Sequence, residues 1–163
     1  MRKGFTLIEI LIVVAIIAIL ASVVLIGLGP SQQSGRDARR LSDLHEVQNA
    51  LELYYQKYGI YPGNSGGTAG TVTSWANLTT AITGAGVGIT NPLPSDPSSG
   101  HFYFYGVNSG ATPADSSYIL GAVLENANNA VFNNYTAPAV GSYSFTSDMT
   151  GITCAKPQYC ISL

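Results

Sequence analysis

The sequence predicts an α+β chain: a long N-terminal helix, membrane-spanning in its first half, packed on a small antiparallel β-sheet head. Three observations carry that expectation. Residues 5–28 are apolar with a single charge, Glu9. From Ala38 to Tyr58 apolar residues recur every three or four positions, the spacing of one helix face. The C-terminal half then turns to short aromatic and β-branched runs separated by Gly, Ser, Asn and Pro, the pattern of strands and turns.

As a helix rising ~1.5 Å per residue, residues 5–28 would be roughly 36 Å long, enough to cross a hydrocarbon core of about 30 Å. Arg2 and Lys3 precede the run, and the cytoplasmic bias of Lys and Arg places that end inside and the remainder outside. A carboxylate in such a helix costs a few kcal/mol unless it is paired or reaches water. Glu9 is therefore either a functional residue or a side chain that snorkels to the headgroups. A secretory signal fits poorly, because its apolar stretch is shorter and its cleavage site follows that stretch. A plain single-span anchor fits the run itself.

The order Arg2-Lys3-Gly4-Phe5-Thr6-Leu7-Ile8-Glu9 resembles the N-terminus of the type IV pilin and pseudopilin superfamily: a short basic leader, a Gly, then Phe-Thr-Leu-Ile-Glu opening a long apolar run. The resemblance implies the type IV pilin fold. It also implies cleavage after Gly4 by a prepilin peptidase and methyltransferase, with Phe5 as the N-methylated first residue. In that family the carboxylate matching Glu9 pairs with the new N-terminal amine of a neighbouring subunit. Opposite charges in hydrocarbon attract strongly, so Glu9 would set register during assembly.

Gly27, Gly29 and Pro30 follow. Glycine costs about 1 kcal/mol and interior proline about 3 kcal/mol in a helix, so a kink or short unwound stretch is expected near 27–30. In related pilins a segment near this point loses helicity when subunits pack into a filament. The stripe from Ala38 then runs through Leu41, Leu44, Val47, Leu51, Tyr54 or Tyr55, and Tyr58. Arg36, Arg39 and Arg40 form a basic group just beyond the membrane. They either contact headgroups from a solvated face or pair with acidic residues of neighbouring subunits, such as Asp43 or Glu46. Gly59 supplies a left-handed cap and Pro62 blocks continuation. The domain division that follows is leader 1–4, membrane and filament-core helix 5–28, head-packed helix 29–58 and head 59–163. The aromatic, glycine and proline spacing at residues 54–62 is a second point of resemblance.

In the head, residues 74–82 form a short helix capped by Ser74, with Trp75 as a core plug. Residues 91–97 are turn-rich, 101–107 and 117–124 make strands, and 141–145 make a third. Together these form an antiparallel meander with one face on the helical stripe. The triplets beginning at Asn77 and Asn134 match a glycosylation pattern common by chance. Cys154 and Cys160 are the two cysteines; outside the membrane a pair this close reads as a disulfide closing a short loop. Metal binding there would need ligands from elsewhere, with His45 and His101 the two histidines.

From Leu41 onward two positive residues face seven acidic ones, a poor match to nucleic acid, so no direct nucleic-acid partner is expected. No nucleophile motif, zinc-binding His pair or phosphate-binding glycine loop is present, and the chain does not read as an enzyme. Related pseudopilins hold calcium in a C-terminal loop, but Asp96, Asp115, Glu125 and Asp148 are too scattered to form a readable loop, and no cofactor is assigned. The resemblance implies a type IV pilus subunit serving adhesion, motility or uptake. Such a subunit is a single-pass inner-membrane protein before cleavage and part of an extracellular homo-oligomeric helical filament afterwards. Its further partners are the lipid membrane, an assembly platform and a cytoplasmic ATPase. The alternatives are a pseudopilin of a type II secretion system and a monomeric membrane-tethered binding protein.

Overall fold

The computed structural model describes residues 4–63, 72–108, 110, 112–146 and 151–163, with the backbone alone at 23–28. Helix α1, Leu7–Tyr58, is followed by α2, Trp75–Gly84, and by strands β1 (Tyr103–Val107), β2 (Tyr118–Val123), β3 (Ser144–Phe145) and β4 (Gln158–Ser162). A single turn of 3₁₀ helix, Ala130–Phe132, precedes β3.

The ends of α1 follow from local chemistry. Thr6 caps its N-terminus, and Gly59 ends it at φ 74°, a left-handed conformation open to glycine. Between them the backbone is helical throughout, with Pro30 inside the helix, so of the kink or short unwound stretch expected near Gly27, Gly29 and Pro30 the unwound form is absent. A proline removes one backbone hydrogen bond and clashes one turn back; here that local cost does not break the helix. Among the described residues no helix is long and apolar enough to cross a membrane. The apolar part of α1 with described side chains covers sixteen residues, 7–22, about 24 Å; the expected span continues into 23–28, whose side chains lie outside the description.

The four strands form one antiparallel sheet in the order β3-β1-β2-β4. Alternation along each strand divides it into two faces. Tyr103, Tyr105 and Val107 of β1, with Tyr118, Leu120 and Ala122 of β2, pack on Leu44, Val47 and Leu51 of α1. Phe104 and Ile119 point the other way, into a smaller core with Cys154 and Cys160. Two glycines let aromatic rings lie flat on that back face: a Cβ at Gly106 would come within 2.5 Å of the Phe145 ring, and one at Gly121 would overlap the ring of Phe104.

The short helix and its Ser74 cap form as the sequence predicts, Asn77 N–H donating to Ser74 Oγ at 3.1 Å. Trp75 lies tilted against Tyr103 with ring centres 5.5 Å apart, which places α2 over β1. The three expected strands are present with shorter bounds, and β4 is an addition. Leu51 is fully buried between helix and sheet. Leu51→Ala is expected to lower head stability by about 2–5 kcal/mol, measured by denaturant unfolding of the detergent-solubilised chain.

Candidate functional site

Three places carry the predicted site residues: the start of α1, its junction with the head, and the cysteine loop. At the start, Gly4 and Phe5 lie in exposed, irregular backbone immediately before the helix. Arg2 and Lys3 lie outside the described residues. Glu9 does not stand alone. Its Oε2 accepts from the Thr6 N–H at 2.8 Å and from Thr6 Oγ1 at 2.7 Å, while the Glu9 N–H donates to Thr6 Oγ1 at 3.3 Å. This reciprocal capping box satisfies N-terminal helix donors and fixes the carboxylate one residue from Phe5. From Phe5 to Leu20 the large apolar side chains are each more than half exposed, an apolar face with no cover in the single chain.

At the junction the buried face of α1 changes from apolar to ionic without leaving its line. Leu44, Val47, Leu51 and Tyr54 are buried, and the same row continues backwards into Arg40 and Asp37, both fully buried. Arg40 makes a bidentate contact with Asp96, Nε–Oδ2 at 2.8 Å and Nη2–Oδ1 at 2.9 Å. Its Nη1 donates to Asp37 Oδ1 at 2.8 Å and to Glu125 Oε1 at 2.9 Å. Ser98 Oγ accepts from Arg40 Nη2 at 2.9 Å and donates to Glu125 at 3.1 Å. Arg36 holds Glu125 with two further bonds. Asp37 in turn accepts the backbone N–H groups of Glu125 and Asn126 at 2.9 and 3.0 Å. One guanidinium thus joins α1 to the loop before β1 and to the end of β2.

This corrects the sequence expectation for the arginines. Arg40 is inside the head, and Arg36 is paired with Glu125 of its own chain. Arg39 is the exposed member, at 63% of its side-chain surface, and lies 3.7 Å from Asp43. The signal was in the spacing, since 37, 40, 44, 47 and 51 form one stripe. What hid it was charge: a buried Arg is expected only where partners exist, and Asp96 and Glu125 are remote in sequence.

The hydrogen bonds of Asp96 raise the pKa of Arg40 above its ordinary value, the largest of several partners acting against burial. The Arg36 guanidinium, aided by Arg40 and Ser98, holds the Glu125 carboxyl down to about 2 from 4.5. Further up the helix Tyr103 donates to Asp43 at 2.7 Å, and Tyr61 and Tyr118 donate to Glu52 at 3.1 and 3.4 Å. Burial first, and the neighbouring carboxylate second, raise all three phenols.

The Cys154–Cys160 disulfide closes its loop with Cα atoms 5.6 Å apart. Gln158 Oε1 accepts the N–H groups of Thr153 and Cys154, and its amide donates to Gly151. Tyr135 Oη accepts from Cys160 N and donates to Cys154 O. Of the four carboxylates considered for calcium, Asp96 and Glu125 meet around Arg40, Asp115 is buried under Gly63, and Asp148 lies outside the described residues. Among the described residues no metal-sized group of three His, Cys, Asp or Glu forms.

A family profile described as "Prokaryotic N-terminal methylation motif" matches residues 1–25. The type II secretion system core protein G of Vibrio cholerae is 34% identical over 99 residues, covering 60% of this chain and 67% of that protein. The chain belongs to the type IV pilin and pseudopilin superfamily. A fimbrial protein of Neisseria meningitidis serogroup B is 42% identical over 78 residues, 45% of this chain and 43% of that protein. A type IV wide pilus major component of Thermus thermophilus is 36% identical over 85 residues, 51% of this chain and 65% of that protein. No solved structure matches. Pilins and pseudopilins are structural subunits rather than enzymes, and the profile match includes Glu9 and the motif around Gly4 and Phe5.

Removing one partner of a buried ionic network leaves uncompensated charge, so Arg40→Ala is expected to cost about 3–5 kcal/mol of head stability. Arg39→Ala should stay within about 0.5 kcal/mol. Because the folded pKa of Glu125 is depressed, its contribution is present above about 4.5 and is lost as pH falls toward about 2. Thermal unfolding followed from pH 6 to 2 is expected to show this loss, and Glu125→Gln to flatten it within that window.

Proposed function

We propose that the chain is the structural subunit of a type IV pilus filament. It would be held in the inner membrane by residues 5–28, cleaved after Gly4, methylated at Phe5 and assembled into an extracellular helical fibre. The observation that carries this is the pairing of an exposed apolar helix with a clamped head. Side chains from Phe5 to Leu20 stand uncovered, and a structure of this kind is completed by lipid or by the helices of other copies. In the filament those helices would pack at the centre and the heads outside, with Glu9 and the Phe5 amine of a neighbour setting register. Prepilin peptidase, an assembly platform and a cytoplasmic ATPase are the machinery this requires. Adhesion, motility or uptake would follow from the fibre.

The cysteine loop supports the pilus reading, since a disulfide that fixes the last loop resembles the pilin branch, and two relatives are named as fimbrial or pilus components. A second reading, a pseudopilin of a type II secretion system, rests on relatives named as its core protein G, from Vibrio cholerae, Escherichia coli and others. Under the pilus reading, Cys154→Ser removes long surface fibres, and calcium chelation leaves the head's melting temperature unchanged. Melting that depends on calcium, with short fibres that persist in Cys154→Ser, would instead establish the secretion subunit.

Both filament readings make Glu9 indispensable. In cells carrying the assembly machinery, Glu9→Ala is expected to leave the membrane-bound subunit at its normal level and abolish sheared filaments. Filaments in normal number would remove the register role given to Glu9, and a wild-type chain that forms none would leave the monomeric tethered protein as the surviving account.

A further inference from the structure

A groove of about 150 Å³ opens on one flank of the head, between α1 and the segment 88–93. Ala50, Ile89 and Pro92 give it an apolar floor, Thr90 and Asn91 add polar groups, and Glu46 stands at its side. Glu46 is exposed, and among the described residues it has no ion pair or hydrogen bond. A carboxylate beside an apolar trough suits a long cationic side chain, whose methylenes lie on the floor while the charge reaches the acid.

The chain itself offers few such side chains. Arg36 and Arg40 are held in the junction cluster, and Lys57 donates to the Ala85 carbonyl at 2.5 Å. Arg39 is exposed, but it precedes Glu46 by seven residues, two turns of α1, and so shares its face. It also has a carboxylate partner on its own helix, Asp43 at 3.7 Å. Lys156 is placed differently. It is exposed at the tip of the cysteine loop, its Nζ 5.4 Å from the centre of the Phe132 ring.

The sheet separates the two patches. Trp75 sets α2 and the chain that follows it over β1, whereas the cysteine loop leads into β4, the edge beyond β2. The groove and Lys156 therefore occupy opposite flanks. Complementary patches on opposite flanks make a head-to-tail contact that repeats from copy to copy instead of closing on itself. They also differ in height. Leu124 N–H donates to Pro157 O at 2.9 Å, and the adjacent Glu125 pairs with Arg36, so Lys156 stands near the level of residue 36. Glu46 lies ten residues further along α1, on the order of 15 Å. The contact would stagger consecutive copies by about that distance.

We propose that Lys156 of one copy seats in the Glu46 groove of the next. This inference rests on the filament reading and names the surface by which heads join. The disulfide, Gln158 and Tyr135 already fix the loop that presents the lysine, so seating it orders little additional chain.

The test is charge exchange in cells with the assembly machinery, scored as sheared filament per membrane-bound subunit, with head melting measured on each purified variant. Lys156→Glu and Glu46→Lys are each expected to reduce filament by about tenfold, because like charges are then juxtaposed at every joint. Subunit level and melting should stay unchanged, and the combined exchange should restore filament to within about twofold of the wild type. Single variants that assemble normally, or a combined variant no better than either single, would overturn the contact and leave the filament reading standing. A wild-type chain that forms no filament would overturn both.

Discussion

The Arg40 guanidinium is the contact on which the arrangement of helix and head depends. Apolar packing of Leu44, Val47 and Leu51 on the sheet supplies attraction, but a stripe of similar side chains tolerates sliding or rotation of the helix. The bidentate geometry with Asp96, combined with Asp37 and Glu125, tolerates neither. A buried ionic group often adds little net stability compared with well-packed apolar residues, while its disruption is costly. Here its contribution is positional: it fixes the height and rotation of α1 against the loop before β1 and the end of β2.

That position matters because of what lies on either side. Toward the N-terminus α1 leads to an exposed apolar stretch, residues 7–22, that ends in the Thr6–Glu9 capping box. Toward the C-terminus the tyrosines of both strands meet carboxylates of α1 at Asp43 and Glu52. In the proposed filament the packing of the rods sets a spacing at the surface only if each head is rigidly indexed to its own rod. The ionic cluster, sitting where rod and head meet, provides that index, and the cysteine loop extends the same rigidity to the far edge of the sheet.

Much of this was legible from residue order. The caps at Gly59 and Ser74, the stripe of α1 and the first strands follow from local rules, because each depends on neighbours within a turn or a hairpin. Strand β4 was not legible. Gln158–Ser162 follows a proline and contains a cysteine, and its identity comes from pairing with β2, nearly forty residues earlier. Non-local pairing also explains Arg40, whose burial is intelligible only when Asp96 and Glu125 have been brought beside it. At Pro30 helical turns on both sides carry α1 through a residue that disfavours it.

The account turns on the chain being a processed filament subunit, and the most direct measurement is its mature N-terminus, determined by mass spectrometry of protein from cells that carry the processing machinery. The account predicts a chain that begins at N-methylated Phe5. An intact Met1, or cleavage beyond the apolar run, would contradict it and reduce residues 5–28 to an ordinary anchor or export signal.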